Sequence, residues 1–160
     1  MLEKTKVTEV LDGSGVEYTF MNDGTTGLVS GMEIAEGLKA DPERVFKTLV
    51  MGNKKKGRYF VFMIPVNRKM DAKKAKAVTG ERLSFASGEE LASETGYEQG
   101  GCSPVGTLNN LPVFFDESAS RFEKIIFGAG ENSYHVEITL NELKKAIDFT
   151  LADIAGDLMD

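Results

Sequence analysis

Hydrophobic and polar positions recur along this chain in two rhythms, and the changes between them mark its elements. Over residues 4–12 the apolar Val7, Val10 and Leu11 fall at helical spacing. Gly13 and Gly15 end that pattern before Val16, Tyr18 and Phe20 alternate as in a strand. Ser30 and Glu33, Ser87 and Glu90, and Thr139 and Glu142 stand at a spacing where hydroxyl and carboxylate can each accept the other residue's backbone N–H at a helix start. They predict helices over 31–39, 88–94 and 140–147, and Asp71 predicts another, ended by Gly80. Stretches rich in β-branched and aromatic residues predict strands over 45–51, 58–65, 82–86, 111–115, 124–128 and 133–138. The NKKKG turn predicts that the first two form a hairpin.

Strands outnumber helices and several neighbours are joined by short turns. The pattern therefore predicts an α+β fold with a mixed, curved sheet rather than a run of helical crossovers. With 160 residues, 41% hydrophobic, and no low-complexity stretch to divide them, one domain spanning residues 1–160 is expected. The N-terminal MLEKTKVTEV has no apolar signal core, and YFVFMIP at 59–65 is too short to span a bilayer. A cytoplasmic protein without membrane contact is expected. One cysteine gives no internal disulfide, and one cysteine with one histidine gives no Cys/His zinc set, so neither a metal nor another cofactor is expected.

The formal net charge of −6 hides a segregation along the chain. Residues 39–76 hold 12 of the 19 basic residues against three carboxylates, an excess of nine, so the remainder carries fifteen excess negative charges. A basic region on an acidic body can steer a polyanion, although a solvated turn at Lys54–Lys56 and a helix face at Lys73, Lys74 and Lys76 account for the same residues.

Two stretches carry candidate chemistry. In VFKTLVM, residues 45–51, alternation places Lys47 in one row with Val45, Leu49 and Met51. It is either an edge lysine with its ammonium in water or a pocket lysine that grips an oxygen. In GYEQGGCSPVG, residues 96–106, four glycines and Pro104 specify a shaped loop rather than a helix or strand.

PERVFKTL at 42–49 together with TGYEQGGCSPVG at 95–106 resembles the YbaK/EbsC family of free-standing aminoacyl-tRNA deacylases, related to the editing domain of bacterial prolyl-tRNA synthetases. The likeness extends through VFMIPV at 61–66, LPVFFD at 111–116 and VEITLNEL at 136–143. It implies a mixed, partly closed β-barrel with flanking helices. It also implies hydrolysis of the ester between a wrong amino acid, most often cysteine or alanine, and tRNA(Pro). The acceptor end of the aminoacyl-tRNA is then the partner, and a prolyl-tRNA synthetase a second one. Lys47 matches the family's essential lysine, and Gly100, Gly101, Ser103, Pro104 and Gly106 match the loop that would hold the aminoacyl group and terminal adenosine. Gly128 and His135 would face the same pocket, where the cysteine-specific members resembled carry serine and aspartate; Glu137 or Asp116 could replace that aspartate as the contact for the α-ammonium group.

The cysteine branch implies attack by the substrate's own thiol and the alanine branch attack by water; the sequence does not separate them. Cys102 with His135 as base offers a rival hydrolase. His135 could equally be a structural histidine within its strand, and Ser103 a turn residue. The aromatic set Phe60, Phe62, Phe114 and Phe115 belongs to the core. The alternative function is a catalytically silent module that binds aminoacyl-tRNA or an aminoacyl nucleotide and docks on a synthetase.

Overall fold

The computed structural model describes residues 2–159. Local capping fixes most helix starts where the sequence places them. Helix α1 (Lys6–Gly13) begins at Thr5, whose hydroxyl accepts from the Thr8 N–H while the Thr8 hydroxyl accepts from the Thr5 N–H. The Ser/Glu pairs close reciprocal boxes at α2 (Gly31–Leu38) and α4 (Gly88–Thr95), and the Asp71 carboxylate accepts from the Lys73 and Lys74 N–H groups to start α3 (Ala72–Thr79). Helix α5 is shorter than expected, Leu140–Leu143. Its Glu142 carboxylate accepts from the distant Glu17 N–H at 2.9 Å instead of completing the box. Beyond Leu143 the backbone tightens into short-range turn bonds such as Ala146 N–H to Leu143 C=O.

Ten strands follow in chain order: β1 (Thr19–Asn22), β2 (Phe46–Asn53), β3 (Arg58–Pro65), β4 (Arg68–Met70), β5 (Ser84–Phe85), β6 (Val113–Asp116), β7 (Ile125–Gly128), β8 (Tyr134–Ile138), β9 (Thr150–Ala152) and β10 (Ala155–Leu158). The expected hairpin is β2–β3, antiparallel from Phe46 opposite Pro65 to Asn53 opposite Arg58. It forms the centre of a five-stranded sheet ordered β5-β2-β3-β6-β9, in which β3, β6 and β9 run parallel, so the sheet is mixed as expected. A three-stranded antiparallel sheet, β1-β8-β7, touches it through a parallel bridge between Val45 and Ile126. Strands β10 and β4 form a third, two-stranded sheet. The described strands thus divide into three sheets, and no closed barrel forms.

Both faces of the β2–β3 hairpin are covered. Phe46, Val50, Val61 and Met63 join the main core with α1 and β6–β8, while Met51, Phe60, Phe62 and Ile64 pack with Ala75 of α3 and Ile154. A smaller cluster of Ala35, Val45, Val66 and Ile126 seats α2 at the junction of the two larger sheets. The aromatic set does belong to the core: Phe62 and Phe114 stack at 5.6 Å between ring centroids, and Phe115 meets Phe127 and Phe149 edge-on. Among the described residues no helix is long and apolar enough to cross a membrane.

Candidate functional site

A cavity of about 170 Å³ lies where β2 begins, at the seam between the two larger sheets. Four consecutive residues, Val45, Phe46, Lys47 and Thr48, form one side of it, with Val66 behind them. Val29, Gly31 and Ile34, from α2 and the segment before it, form the second side, and the glycine loop supplies Gly100 and Cys102. Gly128 at the end of β7 and His135 of β8, which are paired across that hairpin, complete the wall.

The sequence motifs explain this convergence. Gly100 has φ +86°, a left-handed conformation that an L side chain rarely adopts, so the loop turns sharply where it meets the cavity. At Gly128 a Cβ atom would stand 2.6 Å from the Cys102 carbonyl oxygen, so only glycine lets the loop close against β7. The other expected site residues shape this loop and are not among the cavity's lining residues. Ser103 and Pro104 are buried beneath it, and the Ser103 hydroxyl accepts from the Val105 N–H at 3.3 Å. Gly101 lies on a neighbouring surface hollow with Tyr97 and Gly130, and its N–H donates to the Glu98 carbonyl at 3.0 Å. Gly106 faces the Tyr97 hydroxyl and α1.

Lys47 is half-buried and its Nζ lies 3.3 Å from the Met159 sulfur. Burial lowers its pKa below the ordinary 10.5, as expected for an ammonium group with reduced hydration.

His135 is 6% exposed, and its Nε2 lies 2.8 Å from Asp23 Oδ2. Burial raises the Asp23 carboxyl, but hydrogen bonds from Thr25 and His135 outweigh that and hold it below its ordinary 3.8. Burial in turn lowers the His135 pKa below 6.5 despite the nearby carboxylate. An ionised carboxylate only accepts, so in neutral His135 the Nε2 carries the proton and Nδ1 presents a lone pair. That Nδ1 is buried and has no hydrogen-bond partner among the described residues. The Thr48 hydroxyl, on another wall of the same cavity, is buried and unpartnered too. Buried polar atoms are nearly always hydrogen-bonded, and of the four unpartnered side-chain atoms among the described residues two belong to residues that line this cavity.

The rival Cys102–His135 arrangement is not formed. The thiol lies 3.9 Å from the Thr95 hydroxyl, burial raises its pKa, and it makes no hydrogen bond to His135 Nδ1, the nitrogen that would have to serve as base. Glu137 and Asp116 are occupied as well. Glu137 pairs with Arg44 at 2.8 Å, and Asp116 accepts from the N–H groups of Ile154 and Ala155. Among the described residues no group of three or more His, Cys, Asp and Glu side chains could hold a metal ion.

Comparison with known proteins decides the family, because the model of the aminoacyl-tRNA editing domain matches residues 29–146, which include every wall of the cavity. The chain belongs to the aminoacyl-tRNA editing family. EbsC of Enterococcus faecalis, named as a candidate Cys-tRNA(Pro)/Cys-tRNA(Cys) deacylase, is 33% identical over 127 residues, covering 79% of this chain and 77% of its own. The prolyl-tRNA editing protein ProX of Acetoanaerobium sticklandii is 26% identical, covering 90% of each chain. A solved structure described as a candidate trans-editing enzyme for prolyl-tRNA synthetase superposes with a TM-score of 0.78 at 22% identity, covering 96% of this chain and 99% of its own, and shows the same fold. The resemblance drawn from the Lys47 and glycine-loop motifs is thus borne out, and with it the expectation of an aminoacyl-tRNA deacylase.

Within the editing family's fold, the sequence motifs identify Lys47 and the loop but give no hint that Asp23 orients His135. Asp23 lies 112 residues away from its partner and in no recognisable motif. Thr48 stands beside Lys47 in the same motif, but its role as an orphan hydroxyl depends on what surrounds it.

Proposed function

We propose that this protein removes cysteine or alanine from mischarged tRNA(Pro), cleaving the ester in the cavity between Lys47 and His135. The observation that carries this reading is the meeting of a partly desolvated lysine, the Gly100–Cys102 turn and two residues with unpartnered polar atoms around one small volume. About 170 Å³ suits a small aminoacyl group but not an adenosine, so the nucleoside would remain at the mouth.

Each residue then has a task. The His135 Nδ1 lone pair accepts a hydrogen bond from the α-ammonium group, the role that aspartate plays in the cysteine-specific members resembled. The Thr48 hydroxyl completes the contact to the aminoacyl group. Lys47 places positive charge near the ester oxygen or the 3′-terminal phosphate. The amides of Gly100 and Cys102 flank the carbonyl as it becomes an oxyanion, and such fixed donors contribute about 3 kcal/mol each to transition-state stabilisation. No protein nucleophile is required. The attacking group is the substrate thiol when cysteine is bound, where its proximity replaces a bimolecular encounter, and a held water when alanine is bound.

The test is single-turnover deacylation of alanyl- and cysteinyl-tRNA(Pro) by wild type and Lys47→Ala. Hydrolysis of at least one substrate, reduced in the variant by about a hundredfold or more, is expected when a charged group no longer stabilises the transition state. Binding of both substrates without turnover would replace this reading with the silent binding module.

A further inference from the structure

The two faces of the β2–β3 hairpin are covered by helices of opposite charge, α3 with Lys73, Lys74 and Lys76 and α4 with Glu89, Glu90 and Glu94. Leu49 and Met51 of β2 share one face with Phe60, Phe62 and Ile64 of β3, and α3 covers that face through Ala75. The same alternation places Asn53 and its opposite residue Arg58 on this face at the hairpin tip. Beyond the end of α3, the carboxylate of Glu81, with its side chain 6% exposed, lies 3.0 Å from Arg58 and 3.5 Å from Lys56. It also receives Asn53 Nδ2 at 3.4 Å. One buried carboxylate therefore fastens the tip to the end of α3 through Lys56 and Arg58. Lys54 and Lys55 at the tip and Lys76 and Arg82 on either side of the α3 terminus are exposed as well, and Lys54 lies close enough to Glu90 of α4 to help the Tyr59 hydroxyl hold that carboxyl below its ordinary value. The opposite face meets α4, with Glu89, Glu90 and Glu94, and there the Tyr59 hydroxyl donates to Glu90.

The tertiary structure thus sorts the basic residues that the sequence groups together. Arg44 is paired with Glu137 at 2.8 Å, Arg68 with Glu43 at 3.0 Å and Lys74 with Asp153 at 2.8 Å. Of the rest, Lys54, Lys55, Lys56 and Arg58 stand together at the exposed tip, where one carboxylate, Glu81, meets the last two. Lys47 lies on this same face, opposite Ile64, six residues before Asn53. At the rise of an extended chain that is about 20 Å. Phe85 on edge strand β5 is opposite Met51, between the two ends, and is 60% exposed.

We infer that the hairpin tip and the outer side of α3, the helix that covers this face, form the docking surface for the acceptor stem of the substrate tRNA, with stem phosphates on the Lys54–Arg58 tip and the aminoacylated end at Lys47. The inference rests on the deacylase reading and adds a path for the RNA. About 20 Å corresponds to about six stacked nucleotides at 3.4 Å each, which carries a strand from its terminal nucleotide to the paired part of the stem. Lysines on a turn suit this partner because they meet phosphates as mobile point charges without reading sequence. Phe85 offers its ring to an unpaired base along the way.

The test uses the double variant Lys54→Glu, Lys55→Glu, which leaves the two Glu81 ion pairs in place. Fluorescence anisotropy with uncharged tRNA, from about 50 to 200 mM salt, reads the surface without any need for hydrolysis. The expected result is a Kd raised at least about tenfold at low salt and a log–log salt slope shallower by about two, one unit for each phosphate no longer neutralised. In deacylation the loss falls in KM rather than kcat. Glu89→Lys, on the opposite face, does not weaken tRNA binding. Equal Kd and equal slope in wild type and double variant would overturn the inference. So would a double variant that loses binding to phosphatidylserine vesicles while keeping its affinity for tRNA, which would assign the face to a membrane. Wild type that binds tRNA but hydrolyses neither aminoacyl ester would overturn the functional reading alone.

Discussion

His135 Nε2 and Asp23 Oδ2 lie 2.8 Å apart, joining β8 to the end of β1 and fixing the imidazole in the wall of the cavity that Lys47 also lines. Asp23 is itself held by the Thr25 N–H at 2.8 Å and hydroxyl at 2.5 Å, so the histidine rests on a braced carboxylate. Replacing Asp23 by Ala removes that brace and leaves a buried N–H without an acceptor. The expected loss of stability is about 1.5–3 kcal/mol, measured by urea denaturation, together with a rise in KM as the ring loses its fixed tautomer.

The same pair predicts a pH dependence with a definite sign. His135 has a pKa below 6.5 in the folded protein, so the unfolded chain binds this proton more readily. Its contribution is complete above the unfolded value and declines as pH falls below 6.5, levelling off once the folded histidine is protonated too. Asp23, held below 3.8, adds a second loss as the pH falls through and below that value. Urea midpoints measured at about pH 7.5 and 5.5 are expected to fall on acidification, and His135→Gln is expected to flatten the change.

For Lys47 the lowered pKa predicts that activity declines on the alkaline side before the ordinary lysine value of 10.5 is reached. A profile of kcat/KM against pH, corrected for uncatalysed ester hydrolysis, locates that limb. Lys47→Arg stays charged throughout the range and is expected to lack it, at whatever lower rate its bulkier head group permits.

Gly128→Ser places a side chain against the Cys102 carbonyl oxygen, which an ideal Cβ would approach to 2.6 Å. The loop must then withdraw from β7. An overpacking cost of about 1–3 kcal/mol and a marked fall in deacylation are expected, checked by thermal denaturation and single-turnover rates.

Cys102→Ala separates a wall residue from a nucleophile. Removing the nucleophile of a hydrolase costs on the order of 10⁶ in rate, whereas trimming a buried thiol that hydrogen-bonds to Thr95 is expected to lower kcat/KM by far less. Slow alkylation of wild type by iodoacetamide is the companion result, since burial keeps the thiol protonated.

Elements that depend on neighbours in the chain were legible in the sequence. The caps at Ser30, Asp71 and Ser87 and the β2–β3 hairpin follow from side chains and turns a few residues apart. Strands β4, β9 and β10 were not legible, being three or four residues long with no clear alternation. They exist because of distant partners: β9 pairs with β6, β10 pairs with β4, and Asp116 accepts the backbone N–H groups of Ile154 and Ala155 between them.

The sequence by itself determined the family and two halves of the candidate site, because the Lys47 strand and the glycine loop are each specified by contiguous residues. Only the tertiary structure decided which groups meet. It gave His135 its acceptor in Asp23 across 112 residues and set Cys102 against Gly128. It also paired Arg44, Arg68 and Lys74 of the basic segment with carboxylates and left Lys54 and Lys55 exposed at the hairpin tip. Hydrogen bonds and ion pairs act over a few ångströms of space whatever the separation along the chain, so their partners emerge only once the sheets are assembled.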